Sequence, residues 1–184
     1  MSEPAGPAEA HSITLVPLRE ADLARIREVR MGESGTGEFQ WFGHGDQRSL
    51  ERQFAESGCL CADGGLLTVL VDGDWAGTVE WFPGFWGPRA TSRCWTIAIG
   101  VVAEQRGRGI GSRAQALLAE YLFAHSTVER LQAWTDVNNI AEQRALAKAC
   151  FSEEGILRNA QWRGGRWHDQ KLYSRLRTDS VVGQ

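Results

Sequence analysis

Near the middle of the chain, Arg106-Gly107-Arg108-Gly109-Ile110-Gly111 and then Ser112 place three glycines and two arginines directly before a long amphipathic segment. Without a Cβ, glycine admits tight backbone angles and lets a ligand approach the chain closely. A helix that begins here offers unpaired N–H groups and the positive end of its dipole, a cradle for phosphate oxygens. Arg106, Arg108 and Arg113 add positive charge beside it. The same letters also suit a glycine turn that only reverses the chain. Two nucleotide motifs are excluded. No Lys-Ser/Thr pair follows the glycines as a P-loop requires, and no acidic residue stands where a dinucleotide fold holds its ribose.

A second group with chemistry is Glu80, a lone carboxylate in the apolar run Thr78-Val79-Glu80-Trp81-Phe82. It reads either as a proton acceptor bordering a cleft or as the solvent-facing residue of an alternating strand. Cys59 and Cys61, with His44, suggest half a metal site, but no second Cys/His pair at zinc spacing completes it, so no metal is expected. The four cysteines read as reduced thiols of a cytoplasmic protein.

These groups must be positioned by an alternation of strands and helices. A strand is expected over Ile13–Leu18 and a helix over Glu20–Arg30, with Leu23, Ile26 and Val29 on one face. The glycine-rich stretch Gly32–Gly45 carries Phe39, Trp41 and Phe42, and Asp46 suits the N-cap of a helix ending near Ser57. Leu66–Val71 and Trp75–Phe82 form a hairpin about Asp72-Gly73-Asp74, and Pro83–Arg93 reads as a loop. A buried strand over Cys94–Val102 leads into the glycine turn and a helix over Gly109–His125, where Ile110, Ala114, Leu117, Leu118, Tyr121 and Leu122 recur at helical period. A short strand over Leu131–Thr135, a helix over Asn139–Ala149 and a last hairpin, Phe151–Trp162 and Arg166–Leu176 turning at Gly164-Gly165, complete a mixed α/β domain. Residues 1–11 read as a loose leader, 12–178 as one domain and 179–184 as a tail.

With 42% hydrophobic and 23% charged residues, the composition is that of a globular protein. A formal net charge of -3 and the lack of a long basic stretch argue against nucleic acid as the main partner. No run of 18 apolar residues occurs, so no membrane span is expected.

Arg106-x-x-Gly109-x-Gly111 before an amphipathic helix resembles the pyrophosphate-binding motif of the GNAT N-acetyltransferases. Ile97 to Glu104 resembles that family's fourth strand, and Asn139 to Phe151 its later helix. Glu154 to Arg158, then Gly165-Arg166-Trp167-His168-Asp169 and Tyr173, are similar to the ending of the RimJ/RimL-like branch. The opening Ile13-Thr14-Leu15-x-Pro17-Leu18, with Asp22-Leu23, and Trp41-Phe42-Gly43 also fit that branch. The likeness spans nearly the whole chain. It implies an α+β fold whose twisted, mostly antiparallel sheet has about seven strands, is splayed between strands four and five, and is flanked by about four helices. It implies acetyl-CoA as co-substrate, with its pantetheine arm against the backbone of Ile99 and Val101. The pyrophosphate would lie on the amides of Arg106, Gly107, Arg108, Gly109, Ile110, Gly111 and Ser112, and Asn139 would lie near the thioester, a position that helix capping explains equally well. An N–H of the fourth strand would hold the acetyl oxygen as it gains charge.

The implied reaction is direct attack of a neutral amine, so a base must take the proton of an ammonium whose pKa is near ~10. Glu80 is the first candidate and Asp169 the second; Glu154 reads as support for the last hairpin and Tyr173 as a core aromatic. The family's usual Tyr and Ser near the leaving sulfur are replaced by Leu146 and Glu142, and Gln161 stands where the branch can carry a carboxylate. Trp41, Trp81 and Trp86 lie in segments that flank the acceptor site in the family, where aromatic rings enclose an apolar body or a cation. The acceptor is a protein N-terminus or a small amine such as an aminoglycoside or metabolite. A non-catalytic acyl-CoA sensor is the reading of another class, and a nucleotide-binding regulator a third. The family also makes a homodimer compatible with the chain.

Overall fold

The computed structural model describes residues 11–46 and 48–179. Of the expected leader and tail, all but His11 and Asp179 lie outside the described residues. In chain order the elements are β1 (Ile13–Pro17), α1 (Glu20–Arg30), α2 (Glu33–Thr36), α3 (Ser49–Ser57), β2 (Leu60–Cys61), β3 (Gly64–Val71), β4 (Asp74–Phe85) and β5 (Arg93–Val101). A 3₁₀ turn (Ala103–Gln105) leads to α4 (Ile110–His125), β6 (Arg130–Asp136), α5 (Ile140–Lys148), β7 (Ser152–Arg163) and β8 (Arg166–Leu176). The sheet order is β1-β3-β4-β5-β6-β8-β7, with the two-residue β2 attached to β3.

All neighbours are antiparallel except β5 and β6, which run parallel and pair only at Trp95–Leu131 and Thr96–Gln132. Beyond those two rungs the strands part, leaving Ile97–Val101 without a β6 partner. Counting only the long strands, this splay separates the fourth from the fifth, as the resemblance implies.

Period-2 alternation sorts the strand residues to two faces. Val69, Val79, Trp81, Ile97, Ile99, Leu131, Ala133 and Tyr173 join Ile110, Ala114, Leu118 and Leu146 in the main core, under α4 and α5. On the opposite face, Leu66 packs with Leu18, Ile26 and Cys59 under α1 and α3. There Asp22, 1% exposed, accepts from the Thr68 hydroxyl at 2.9 Å and from the Arg19 N–H at 3.0 Å. Glu80 (opposite Leu66 and Ala98), Phe82 (opposite Thr96) and Trp134 belong to this second face as well. Gly77 keeps β4 and β5 in register: a Cβ there would meet the Gly100 carbonyl oxygen at 2.0 Å.

Two local expectations are corrected. Pro83 and Gly84 do not open a loop, because β4 continues to Phe85 and the connection shortens to residues 86–92. Pro83 is tolerated because β3 pairs with β4 only as far as Trp81, so the edge lacking its N–H is already unpaired. Asp46 is not the N-cap of α3. Arg48 is, and Asp46 instead accepts the Arg48 N–H at 2.9 Å from two residues upstream. The Asp72-Gly73 turn has both residues at positive φ, the geometry that suits the twist of a tight hairpin. Among the described residues no helix is long and apolar enough to cross a membrane.

Candidate active site

The glycine turn is built as its residues dictate. Gly107 and Gly109 have φ of 77° and 78°, left-handed values at which a side chain is strained, and nothing lies within 4 Å of where their Cβ atoms would stand. Gly109 is the N-cap of α4 and contributes no side chain to it. The Arg106 N–H is committed to the Ala103 carbonyl at 3.2 Å, so the free amides begin one residue later than expected. From Gly107 to Ser112 no backbone acceptor among the described residues meets the N–H groups, and Arg113 is the first to bond back, to Gly109. Six consecutive amides at a helix start, with open space at the Cβ positions of Gly107 and Gly109, fit a diphosphate.

The arginines of the turn do not all point outward. The Arg106 guanidinium folds back onto the carbonyls of Val101 (2.9 Å) and Gly35 (3.1 Å), tying the turn to α2. Arg108 meets Gln105 and His11.

On β5, the carbonyls of Ile99 and Val101 face the splay, where they accept from Gln40 Nε2 at 2.8 Å and from Arg106 Nε. This exposed edge suits an extended, amide-bearing arm that pairs as a strand would. A cavity of about 480 Å³ adjoins it. Its lining combines β5 from Thr96 to Val101, Glu80 and Phe82 of β4, Ala133 to Asp136 of β6, Asn139 and Glu142 of α5, and Phe39 to Gly43. The cavity therefore runs through the splay, from the α5 side of the sheet to the face that carries Glu80.

The segment over that second face is held at three points. Besides Arg106 and Gln40, Arg163 donates to the Phe39 carbonyl at 3.2 Å with its guanidinium 5.5 Å from the Phe39 ring. Arg163 is itself fixed by Asp136 at 2.6 Å, and His168 Nδ1 lies 3.0 Å from the same carboxylate. Burial would raise the Asp136 carboxyl, but the Asn138 N–H and the Arg163 guanidinium overcome it and hold the group below the ordinary carboxylate range. Nothing in the spacing of these three residues announces the cluster; only the pairing of β6 with β8 and of β8 with β7 brings them together.

Among the candidate site residues, Glu80, Trp41, Asn139, Ile99, Val101 and Arg106 line the cavity. Asn139 is also the N-cap of α5, accepting the Glu142 N–H at 3.2 Å. Asp169 stands outside the cavity and accepts the Asn159 N–H at 2.7 Å, at an irregularity of β7. Trp81 is buried under α4, 5.9 Å from Tyr121, and Trp86 lies outside the cavity with its indole N–H on Gln132. The aromatic pair that lines the cavity is Phe82 and Trp134, 6.1 Å apart and each partly exposed. Alternation alone would have moved the assignment from Trp81 to its neighbour Phe82, had the register been known. Tyr173 is buried and donates to Glu153, with burial pushing its hydroxyl up to about 12. Glu154 takes a two-pronged bond from Arg130, both arms at 2.6 Å, and its carboxyl falls to about 2. Among the described residues no cluster suited to a metal ion exists.

Comparison with known proteins follows the same lines. The profile of the family described as "Acetyltransferase (GNAT) family" matches residues 30–150. A probable N-acetyltransferase of Bacillus subtilis, YjcK, is 33% identical over 73 residues, which are 40% of each chain. Among solved structures, a spermidine N-acetyltransferase from Vibrio cholerae in complex with CoA and spermine superposes with a TM-score of 0.76 at 19% identity, over 91% of this chain and 96% of that one. Mycobacterium smegmatis RimJ in complex with CoA-disulfide gives 0.73 at 21% identity, over 94% and 84%. A RimL ribosomal L7/L12 acetyltransferase with coenzyme A gives 0.69 at 15%, over 89% and 93%. At these identities the solved structures establish the fold.

Proposed function

Because this chain belongs to the acetyltransferase (GNAT) family, we propose that it transfers acetyl from acetyl-CoA directly to an amine carried on an apolar or aromatic body. The observation that carries the reading is the single cavity shared by the free edge of β5, Asn139 and Glu80. The amides of Gly107–Ser112 hold the pyrophosphate, and the β5 edge at Ile99 and Val101 holds the pantetheine arm. Bound there, acetyl-CoA supplies an acyl group already activated as a thioester. An N–H of β5 facing the splay polarises the acyl oxygen. Glu80 takes the proton of the acceptor ammonium; among the described residues it has no side-chain partner, so its oxygens are available.

The acceptor side is aromatic, with Trp41, Phe42, Phe82 and Trp134 around the cavity. Most of its carboxylates are already paired: Asp46 with Arg52, Glu51 with Arg27 and Asp136 with Arg163. That composition supports one amine on an apolar body, a peptide N-terminus or a small molecule, over a polycation. The four free cysteines support a reducing, cytoplasmic setting.

The test is release of free thiol from acetyl-CoA with aryl-alkyl amines, N-terminal peptides, spermidine and aminoglycosides, repeated with Glu80→Gln. Aryl-alkyl or peptide amines should lead, and Glu80→Gln should slow turnover by about a hundredfold or more at unchanged coenzyme A affinity. Binding of acetyl-CoA without thiol release from any amine would leave a sensor, not an enzyme.

A further inference from the structure

Two carboxylates line the cavity without a cationic partner, and they stand on opposite sides of the sheet. One is Glu80 on β4. The other is Glu142, the third residue of α5, on the side of α4 and the main core. A glutamate at this position of a helix often reaches back to the N-cap N–H. Here the Asn139 N–H is taken by the Asp136 carbonyl at 2.9 Å, and Glu142 is left facing the cavity. Leu146, one turn on, is fully buried, so the helix face that carries Glu142 is turned into the protein. Asn139 lies three residues before it, at the same cavity wall.

We propose that Glu142, in its protonated form, is the acid that delivers a proton to the departing sulfur. The proposal rests on the acetyl-CoA reading above. As the sulfur–acyl bond breaks, the Glu142 O–H bond breaks and an S–H bond forms, leaving a Glu142 carboxylate. The acceptor nitrogen loses two protons on its way from ammonium to amide: Glu80 takes the first and passes it to water before attack, then takes the second as the adduct collapses. Exchange with water returns both carboxyls to their starting forms, with one proton released overall. The environment suits the role. Burial pushes the Glu142 carboxyl up to about 7. No charged group contributes to the shift, and two other ionised groups of the cavity are already engaged, Asp136 by Arg163 and Arg106 by carbonyls. A departing thiolate whose conjugate thiol has an ordinary pKa, near ~8.5, accepts a proton from such an acid favourably. Two carboxyls kept apart in acidity by their surroundings divide acid from base.

The test compares wild type with Glu142→Gln on the best acceptor, by thiol release from pH 5.5 to 9 and by calorimetry with coenzyme A. Glu142→Gln should lower kcat by about a hundredfold, leave the coenzyme A Kd within about twofold, and abolish the fall in kcat that wild type shows above its acid's pKa. Glu142→Asp gives a second handle if Glu142→Gln folds poorly. It keeps a titrating carboxyl, so it should retain a fall in kcat at high pH, which a structural role for Glu142 would not tie to the carboxyl. A Glu142→Gln kcat within threefold of wild type, or a Glu142→Asp variant without that fall, overturns the assignment. Wild type that binds coenzyme A yet acetylates nothing overturns the function reading and this one together; wild type that turns over normally isolates the failure to Glu142.

Discussion

Replacing Glu142 by Gln should stabilise the ligand-free protein, by an amount that grows with pH. The carboxyl has an ordinary pKa of 4.5 in the unfolded chain and about 7 in the fold. Between those values the native state binds more protons than the unfolded state, so wild-type stability falls as pH rises through the window and then levels off. At roughly 1.4 kcal/mol per pKa unit the full penalty is about 3 kcal/mol. The linkage expression gives about 1 kcal/mol at pH 5 and about 3 kcal/mol at pH 8. Glutamine keeps the shape and does not titrate, so it escapes the penalty. In urea denaturation the advantage of Glu142→Gln over wild type should therefore widen by about 2 kcal/mol from pH 5 to pH 8. In thermal melts at pH 8, a protein of this length should gain roughly 6–12 °C. An advantage equal at both pH values, or one that narrows, would mean that the carboxyl is solvated and that burial does not set its acidity.

Three further outcomes follow from other parts of the site. Gly109→Ala places a side chain at φ 78°, costing about 1–2 kcal/mol, with no steric contact to blame. Coenzyme A affinity should fall about tenfold in calorimetry if a phosphate closes on that backbone, and unchanged affinity would place the diphosphate elsewhere. Arg163→Met removes the cation from a carboxylate that is 2% exposed and should cost about 3–5 kcal/mol at pH 7. Since the folded Asp136 is held below its ordinary pKa, its contribution is present above that ordinary value and disappears as pH falls through the folded one, so the deficit should shrink in acid. Gln40→Ala frees the Ile99 carbonyl, and coenzyme A should bind more tightly if its arm competes for that acceptor; weaker binding would make Gln40 a ligand contact.

Local signals carried the fold a long way. The helical period of Ile110, Ala114 and Leu118, the Asp72-Gly73 turn and the Gly164-Gly165 turn each depend on neighbours only a few residues apart, and each element lies where its pattern places it. What stayed hidden depends on register. Whether Trp81 or Phe82 faces the cavity is settled by which β5 residue each opposes, and the chain alone does not contain that pairing. Pro83 reads as a break only until β3 is known to stop short of it. The Asp136–Arg163–His168 cluster joins three strands, β6, β7 and β8, with Asp136 and Arg163 separated by 27 residues of sequence. Glu142 was visible only as a departure from the family's usual donor; its unusual acidity comes from burial, which no local pattern encodes.

The splay between β5 and β6 gives these separate observations a common cause. A parallel pair that zips along its whole length would satisfy the backbone of Ile99 and Val101 within the sheet and seal one face from the other. By stopping after two rungs, the pair leaves a strand edge unpaired and opens a passage through the sheet. An unpaired buried edge is costly unless something completes it, and here Gln40 and Arg106 supply the missing donors from the segments on either side. Both are single side-chain contacts, replaceable by a ligand that offers amides of its own. The same passage keeps Glu80 and Glu142 on different faces, which on the proposed function lets one carboxyl accept a proton while the other gives one. On that reading, closing the splay would remove the edge offered to the arm and the passage between the two carboxyls at once, so the geometry of this gap, more than any one side chain, would be the condition for transfer.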